Sequence, residues 1–366
     1  MIAACPHRLE GTYLLFERLW ESVSERFRSM NSVSLNLNSA GSLRAIRAGF
    51  IWVCLGGIAL VHWVNAAEGK GADSVEALVF EPIDADRDDR VVPVKVYWGT
   101  DEKPLPVVLF SHGLGGSRDN NAYLGEYWAQ AGYVAVFMQH AGSDEDVWKS
   151  VPVRNRLGAL KSATGAKTSI DRFNDVPLVI DRLESWNVKK GHALERRMDL
   201  DRIGLCGHSY GAVTTLALAG QRYPLNRTME DERIDAFLAM SPQPGKRLPP
   251  KRAFGHPSKP TLCMTGTEDG SPINAKLEPA DRQKVYQALK PGDKFQLVLE
   301  GGEHFAFGDS PGLRTRNPKH HLAIQEISLR FWNAYLKDDG KSQAWLQSMK
   351  PIAETGLGSA DVWEWK

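Results

Sequence analysis

Two kinds of hydrophobic pattern alternate along most of this chain. Continuous apolar runs occupy residues 106–110, 133–138, 203–206, 236–240, 260–264 and 295–299, each closed by glycine, proline, serine or charged residues. Runs of that length without polar alternation suit strands buried on both faces of a parallel sheet. Between them lie segments with apolar residues at helical spacing: 120–132, with Leu124, Tyr127, Trp128 and Ala131; 170–186, with Val176, Leu178, Val179 and Leu183; 211–220; 280–289, opened by Pro279; and 321–336. Residues 76–80 and 93–99 flank a charged cluster at 84–89 and read as an edge hairpin. Strands alternating with helices over most of the chain predict one α/β domain with a mostly parallel central sheet flanked by helices. Residues 142–167 break the rhythm: they are polar, irregular, and long enough to form a binding loop or small cap.

The N-terminal part differs. Arg44 and Arg47 precede a mostly apolar run at 48–63, followed by Val64, Asn65, Ala66 and Ala67. A charged start, a short apolar stretch and small residues at −3 and −1 describe a secretory signal with cleavage after Ala66. The run is shorter than the ~20 apolar residues that usually span a bilayer, and His62 interrupts it; retained, it would tether the protein to a membrane. Met30 fits the start of such a signal better than Met1. The expected division is therefore an extension and signal over 1–66 and a catalytic domain over 67–366, exported from the cell.

With 366 residues, 42% hydrophobic and 24% charged, the chain has the composition of an ordinary globular protein, and its formal net charge of +1 offers no electrostatic footing for nucleic acid. Of its four cysteines, Cys206 and Cys263 would remain after export. Both fall on predicted strands with another strand between them in sequence. Two spacings of about 4.8 Å exceed the ~7 Å Cα reach of a disulfide, so two buried thiols are expected.

The chemistry gathers around Gly207-His208-Ser209-Tyr210-Gly211, which follows one apolar run and opens a helical one. This is the pattern of a strand turning sharply into a helix with a serine exposed at the turn, the two glycines permitting the bend. A serine hydroxyl needs a base, and the base an orienting acid. Asp269 lies in Gly266-Thr267-Glu268-Asp269-Gly270 after the run at 260–264, and His304 lies in a glycine-rich turn after 295–299. Ligands of open α/β sheets bind at the carboxyl ends of strands, so these turns can converge. The roles follow: Ser209 as nucleophile, His304 as base, Asp269 as orienting acid, with Glu268 the alternative acid. Oxyanion donors are expected from the Tyr210 N–H and, in Ser111-His112-Gly113-Leu114-Gly115-Gly116, from the Leu114 N–H, with Gly113 second. His112, His140 and His208 compete as bases. The first two precede the nucleophile, and His208 is expected to point to the other side of the turn; all three suit the floor of the site.

These residues carry a resemblance. Val107 to Gly116, Gly132-Tyr133-Val134, Asp201 to Ala212, Gly266 to Asp269, Glu303-His304 and Phe331 to Leu336 resemble an α/β-hydrolase, more narrowly the dienelactone-hydrolase-like group with platelet-activating-factor acetylhydrolases and bacterial polyester hydrolases. The resemblance covers about residues 76–347. It implies a Ser209–His304–Asp269 triad, Leu114 and Tyr210 as backbone donors, and an ester substrate. Dienelactone hydrolases proper use a cysteine where this chain has Ser209. Polyester hydrolases carry a tryptophan where it has Ser241-Pro242-Gln243-Pro244.

A serine ester hydrolase acting on a small-molecule ester is the leading expectation. The same triad could cleave amides or peptides, and the scaffold without turnover would be a binding module. No His-Glu-x-x-His or Cys-x-x-Cys cluster is present, so no metal and no cofactor are implied.

Overall fold

The computed structural model describes residues 75–99, 103–245, 247–309 and 317–366. The expected signal segment and its cleavage site lie outside them. Nine strands form one sheet: β1 (Glu76–Phe80), β2 (Val94–Trp98), β3 (Leu105–Ser111), β4 (Val134–Met138), β5 (Met198–His208), β6 (Ile234–Met240), β7 (Thr261–Glu268), β8 (Lys294–Glu303) and β9 (Val362–Trp365). Their spatial order is β1-β2-β4-β3-β5-β6-β7-β8-β9. The run from β4 to β8 is parallel throughout. β1 and β2 pair antiparallel at one edge, β2 joins β4 antiparallel, and β9 pairs antiparallel at the other edge.

The continuous apolar runs are buried on both faces because period-two alternation sorts them between two cores. Val108 and Phe110 of β3 meet Trp128, Ile327, Phe331 and Trp332 of helices Ala122–Gln130 and Pro318–Leu336. Val107 and Leu109 meet Val176, Val179, Ile180 and Leu183 of helix Ala166–Val188 on the opposite face. Helices Tyr210–Leu218 and Pro279–Ala288 share a third cluster with Ala239 and Cys263. Cys206 pairs with Leu238, and Ala239 with Cys263, so one strand separates the thiols; both are free and buried.

Residues 142–167 are not irregular as expected. They form helices Asp146–Lys149 and Val153–Ser162 and enter the long helix Ala166–Val188. Helix Val153–Ser162 buries no residue, so it lacks the apolar stripe by which a helix is legible in sequence. The short helices Gly340–Leu346 and Lys350–Glu354 and strand β9 were equally silent. β9 is held by Trp363, whose ring stacks on Phe295 at 5.7 Å. No helix among the described residues is long and apolar enough to cross a membrane.

Candidate active site

β5 ends at His208, and helix Tyr210–Leu218 begins two residues later. The single residue between them, Ser209, turns the chain with φ 56° and ψ −110°, a conformation that side-chain-bearing residues adopt only when their surroundings enforce it. Its N–H is tied to the Met240 carbonyl at the end of β6, 2.9 Å away. Gly211 makes the turn possible: a Cβ there would lie 1.8 Å from the Ser111 carbonyl oxygen at the end of β3. The elbow and the loop after β3 are therefore in backbone contact.

Ser209 Oγ lies 2.9 Å from His304 Nε2, and His304 Nδ1 lies 2.7 Å from Asp269 Oδ1. The structure thus brings together the three side chains singled out from sequence, each from the turn after a different strand. Gly266 lets the last two turns meet, since a Cβ on it would stand 2.1 Å from the Gly302 carbonyl oxygen. Asp269 is wholly buried, whereas Glu268, one residue earlier, faces solvent and reaches none of these groups. The turn that ends β7, closed by the Asp269 N–H donating to the Gly266 carbonyl at 3.2 Å, separates the two acids.

Buried donors surround the Asp269 carboxylate. Thr265 Oγ1 donates to Oδ2 at 2.8 Å, and Arg282 Nε lies 2.9 Å from Oδ1. Arg282 sits in the first turn of helix Pro279–Ala288, whose start is set by Pro279 and a Glu278–Asp281 capping box. Its guanidinium also caps the carbonyls of Ser241 and Asp269 at 2.7 and 2.6 Å. Arg282 Nη2 is 3.1 Å from His304 Nδ1, a nitrogen that can hold one proton only. With Nε2 accepting from the Ser209 hydroxyl, that proton points to Asp269, so Arg282 stands beside the ring as a cation without a hydrogen bond to it.

The competing histidines are all structural. His208 does not point away as expected: its ring lies 4.9 Å from that of His304, and Nε2–H donates to the His304 carbonyl at 2.9 Å. Burial first, then the neighbouring His304 and Arg282, push its basicity far below that of ordinary imidazole. His112 donates from Nδ1 to the Gly113 carbonyl at 2.6 Å and accepts the His140 N–H at Nε2, 3.0 Å away. Burial and the Arg172 charge keep it neutral. His140 donates to Asp175 and accepts from the Ser111 hydroxyl, and burial pulls it down to about 4. Its contact with Asp175 is therefore a hydrogen bond from a neutral ring, not an ion pair.

The loop after β3 is held from both sides. Gly113 borders Ser209, and Gly115 donates to the Ser143 carbonyl at 2.8 Å. The Trp148 indole N–H donates to the Gly115 carbonyl at 2.7 Å. Trp148 and Leu160 of the helical insertion close over Gly115, making the insertion a cap on this loop. Among the described residues, the N–H groups of Leu114 and Tyr210 meet no protein acceptor. No group of three or more His, Cys, Asp or Glu side chains among them is arranged to hold a metal. Sequence reasoning passed over Thr265, Arg282, Arg172 and Asp175, which carry no motif; only the fold brings them to the site.

The mostly parallel sheet, the serine at the strand–helix elbow and the acid and histidine on later strand ends define the class, an α/β-hydrolase. Residues 92–164 match the family described as platelet-activating factor acetylhydrolase, isoform II. Over that stretch the chain is similar to the family, and the match and the fold together support a serine ester hydrolase. Among solved structures, a ferulic acid esterase from Streptomyces cinnamoneus aligns with a TM-score of 0.54 at 19% identity, over 74% of this chain and 93% of its own. That likeness shows the fold. No match was found among curated proteins.

Proposed function

We propose that the protein is an exported serine carboxylic-ester hydrolase working through Ser209, His304, Asp269 and a covalent acyl-enzyme. The observation that carries this reading is the hydrogen-bonded line from Ser209 Oγ to His304 Nε2 to Asp269, starting at a strained elbow. His304 takes the hydroxyl proton as Ser209 Oγ attacks the ester carbonyl. The tetrahedral oxyanion is received by the N–H groups of Leu114 and Tyr210. Collapse expels the alcohol, which takes its proton from His304, and leaves an acyl-serine. Water, deprotonated by His304, then attacks that ester and releases the acid. Asp269 holds the imidazole in the required tautomer and stabilises its cation.

Purified protein is expected to hydrolyse short p-nitrophenyl esters and to be labelled at Ser209 by a fluorophosphonate. Full activity in Ser209→Ala would remove the assignment. Hydrolysis of anilides at a comparable rate would favour amide cleavage, and a folded protein that neither labels nor turns over would be a binding module. Export with cleavage after Ala66 rests on the charged, apolar and small residues at 44–66. N-terminal sequencing of the exported protein should begin at Ala67; a retained segment would make the enzyme membrane-tethered.

A further inference from the structure

The geometry points to Arg172 as a positioning residue for the oxyanion hole, clamping together the two chain segments that supply its N–H donors. This rests on the reading of Leu114 and Tyr210 as those donors. Arg172 lies in helix Ala166–Val188 and is completely buried. From Nη2 it donates to the carbonyl of His112, two residues before Leu114, and to the Ser111 hydroxyl. Nε donates to Thr214 Oγ1, 3.1 Å away on the helix that begins with Tyr210, and Nη1 to Ser143 Oγ at 2.8 Å. The guanidinium carbon sits 4.6 Å from the centre of the Tyr210 ring. One rigid fork therefore reaches the loop after β3, the helix after the elbow, and the start of the cap. A guanidinium has the planar set of donors that this requires, and a lysine ammonium has not.

The partners of Arg172 are themselves fixed. Ser111 Oγ, His140 Nε2 and Asp175 stand 2.8 and 2.9 Å apart, the spacing of a second Ser–His–Asp line. All three are fully buried, so no substrate reaches them and the line orders hydrogen bonds instead of reacting. Asp175 is held below the usual carboxylate range by Arg90 and His140 despite its burial, and its charge answers the guanidinium. With His140 neutral, the Ser111 hydroxyl must donate to it and present its lone pairs to Arg172. The carbonyl of His112 is thus pinned on a network whose donors and acceptors have one consistent direction.

A clamp on oxyanion donors acts on the tetrahedral state more than on bound ester. Arg172→Lys keeps the charge but loses the fork. It is expected to lower kcat by about a hundredfold, the scale of losing one oxyanion donor, with KM within about threefold. The affinity of a trifluoromethyl ketone, which forms a tetrahedral oxyanion on the serine, should fall in parallel with kcat. Thr214→Val removes the Arg172 bond on the elbow-helix side, along with the longer bond from the Thr214 hydroxyl to the Tyr210 carbonyl, 3.3 Å away in the same helix. It is expected to fold, to lower kcat by about tenfold, and to lose ketone affinity by the same factor. Wild-type hydrolysis and Ser209 labelling are measured first, and their absence would overturn the esterase reading itself. With the wild type active, this proposal is overturned if folded Arg172→Lys keeps its kcat, if its loss lies in KM, or if ketone affinity stays unchanged while kcat falls. Should Arg172→Lys fail to fold, Thr214→Val decides: parallel losses support the clamp, and unchanged kcat overturns it.

Discussion

Acidification should unfold this protein through three histidines near the candidate site. His112, His140 and His208 are buried and neutral, held below ordinary imidazole by desolvation first and by neighbouring positive groups. In the unfolded chain each takes a proton near pH 6.5. Between that value and its lower folded one, the unfolded state binds the extra proton, so stability falls as pH drops through this window. For His140, whose folded value is about 4, lowering the pH from about 7 to about 5 removes about 2 kcal/mol. His112 and His208 are shifted in the same direction by burial, so each adds to this loss. Asp144 and Asp235 oppose this: burial raises both, the folded state takes up their protons first, and part of the loss is offset near their titration. Asp175, shifted downward, withdraws its contribution only at lower pH. Reversible urea unfolding followed by tryptophan fluorescence at a series of pH values measures the effect directly. His208→Asn should make the fall in stability with acidification shallower, whatever its own cost. A stability that changes by less than about 1 kcal/mol across the window, or ring resonances of His140 titrating at the ordinary imidazole value, would refute the reasoning.

Three further outcomes follow from the same geometry. Asp269→Asn should leave the fold intact and lower kcat by about 10⁴-fold in ester hydrolysis, because an amide can present the wrong tautomer to His304; a loss under tenfold would mean that Asp269 does not orient the base. Gly211→Ala puts a methyl where the Ser111 carbonyl stands 1.8 Å away, so the loop after β3 must retreat; kinetics and melting should show kcat/KM down by about a hundredfold or more with a stability loss of about 1–3 kcal/mol. Burial pushes the Cys263 thiol up to about 12 and raises Cys206 well above its ordinary value. Thiol titration of protein cleaved after Ala66 should therefore give no reactive group when folded and two in urea; a disulfide or a reactive native thiol would contradict the strand packing.

Legibility in the sequence followed burial. β3 and β4 announce themselves as apolar runs because both faces of the sheet are covered, and helix Ala166–Val188 shows its buried stripe of Val176, Val179, Ile180 and Leu183. Helix Val153–Ser162 buries nothing and shows nothing, although it forms part of the cap over Gly115. Strand β9 is four residues long with one buried side chain, Trp363, too little for any periodicity. Ser209, Asp269 and His304 were legible because each sits in a glycine-marked turn after an apolar run, in the chain order that the elbow requires.

By itself, then, the sequence determined the α/β alternation, the elbow, and which serine, acid and histidine could meet, since these depend on local backbone needs and hydrophobic period. Tertiary structure alone decided which charges and rings surround them. Arg282 against Asp269, Arg172 across the loop after β3 and the elbow helix, and His208 turned toward His304 all join residues far apart in the chain. A buried charge or neutral imidazole depends on what folding places beside it, and no spacing along the chain encodes that.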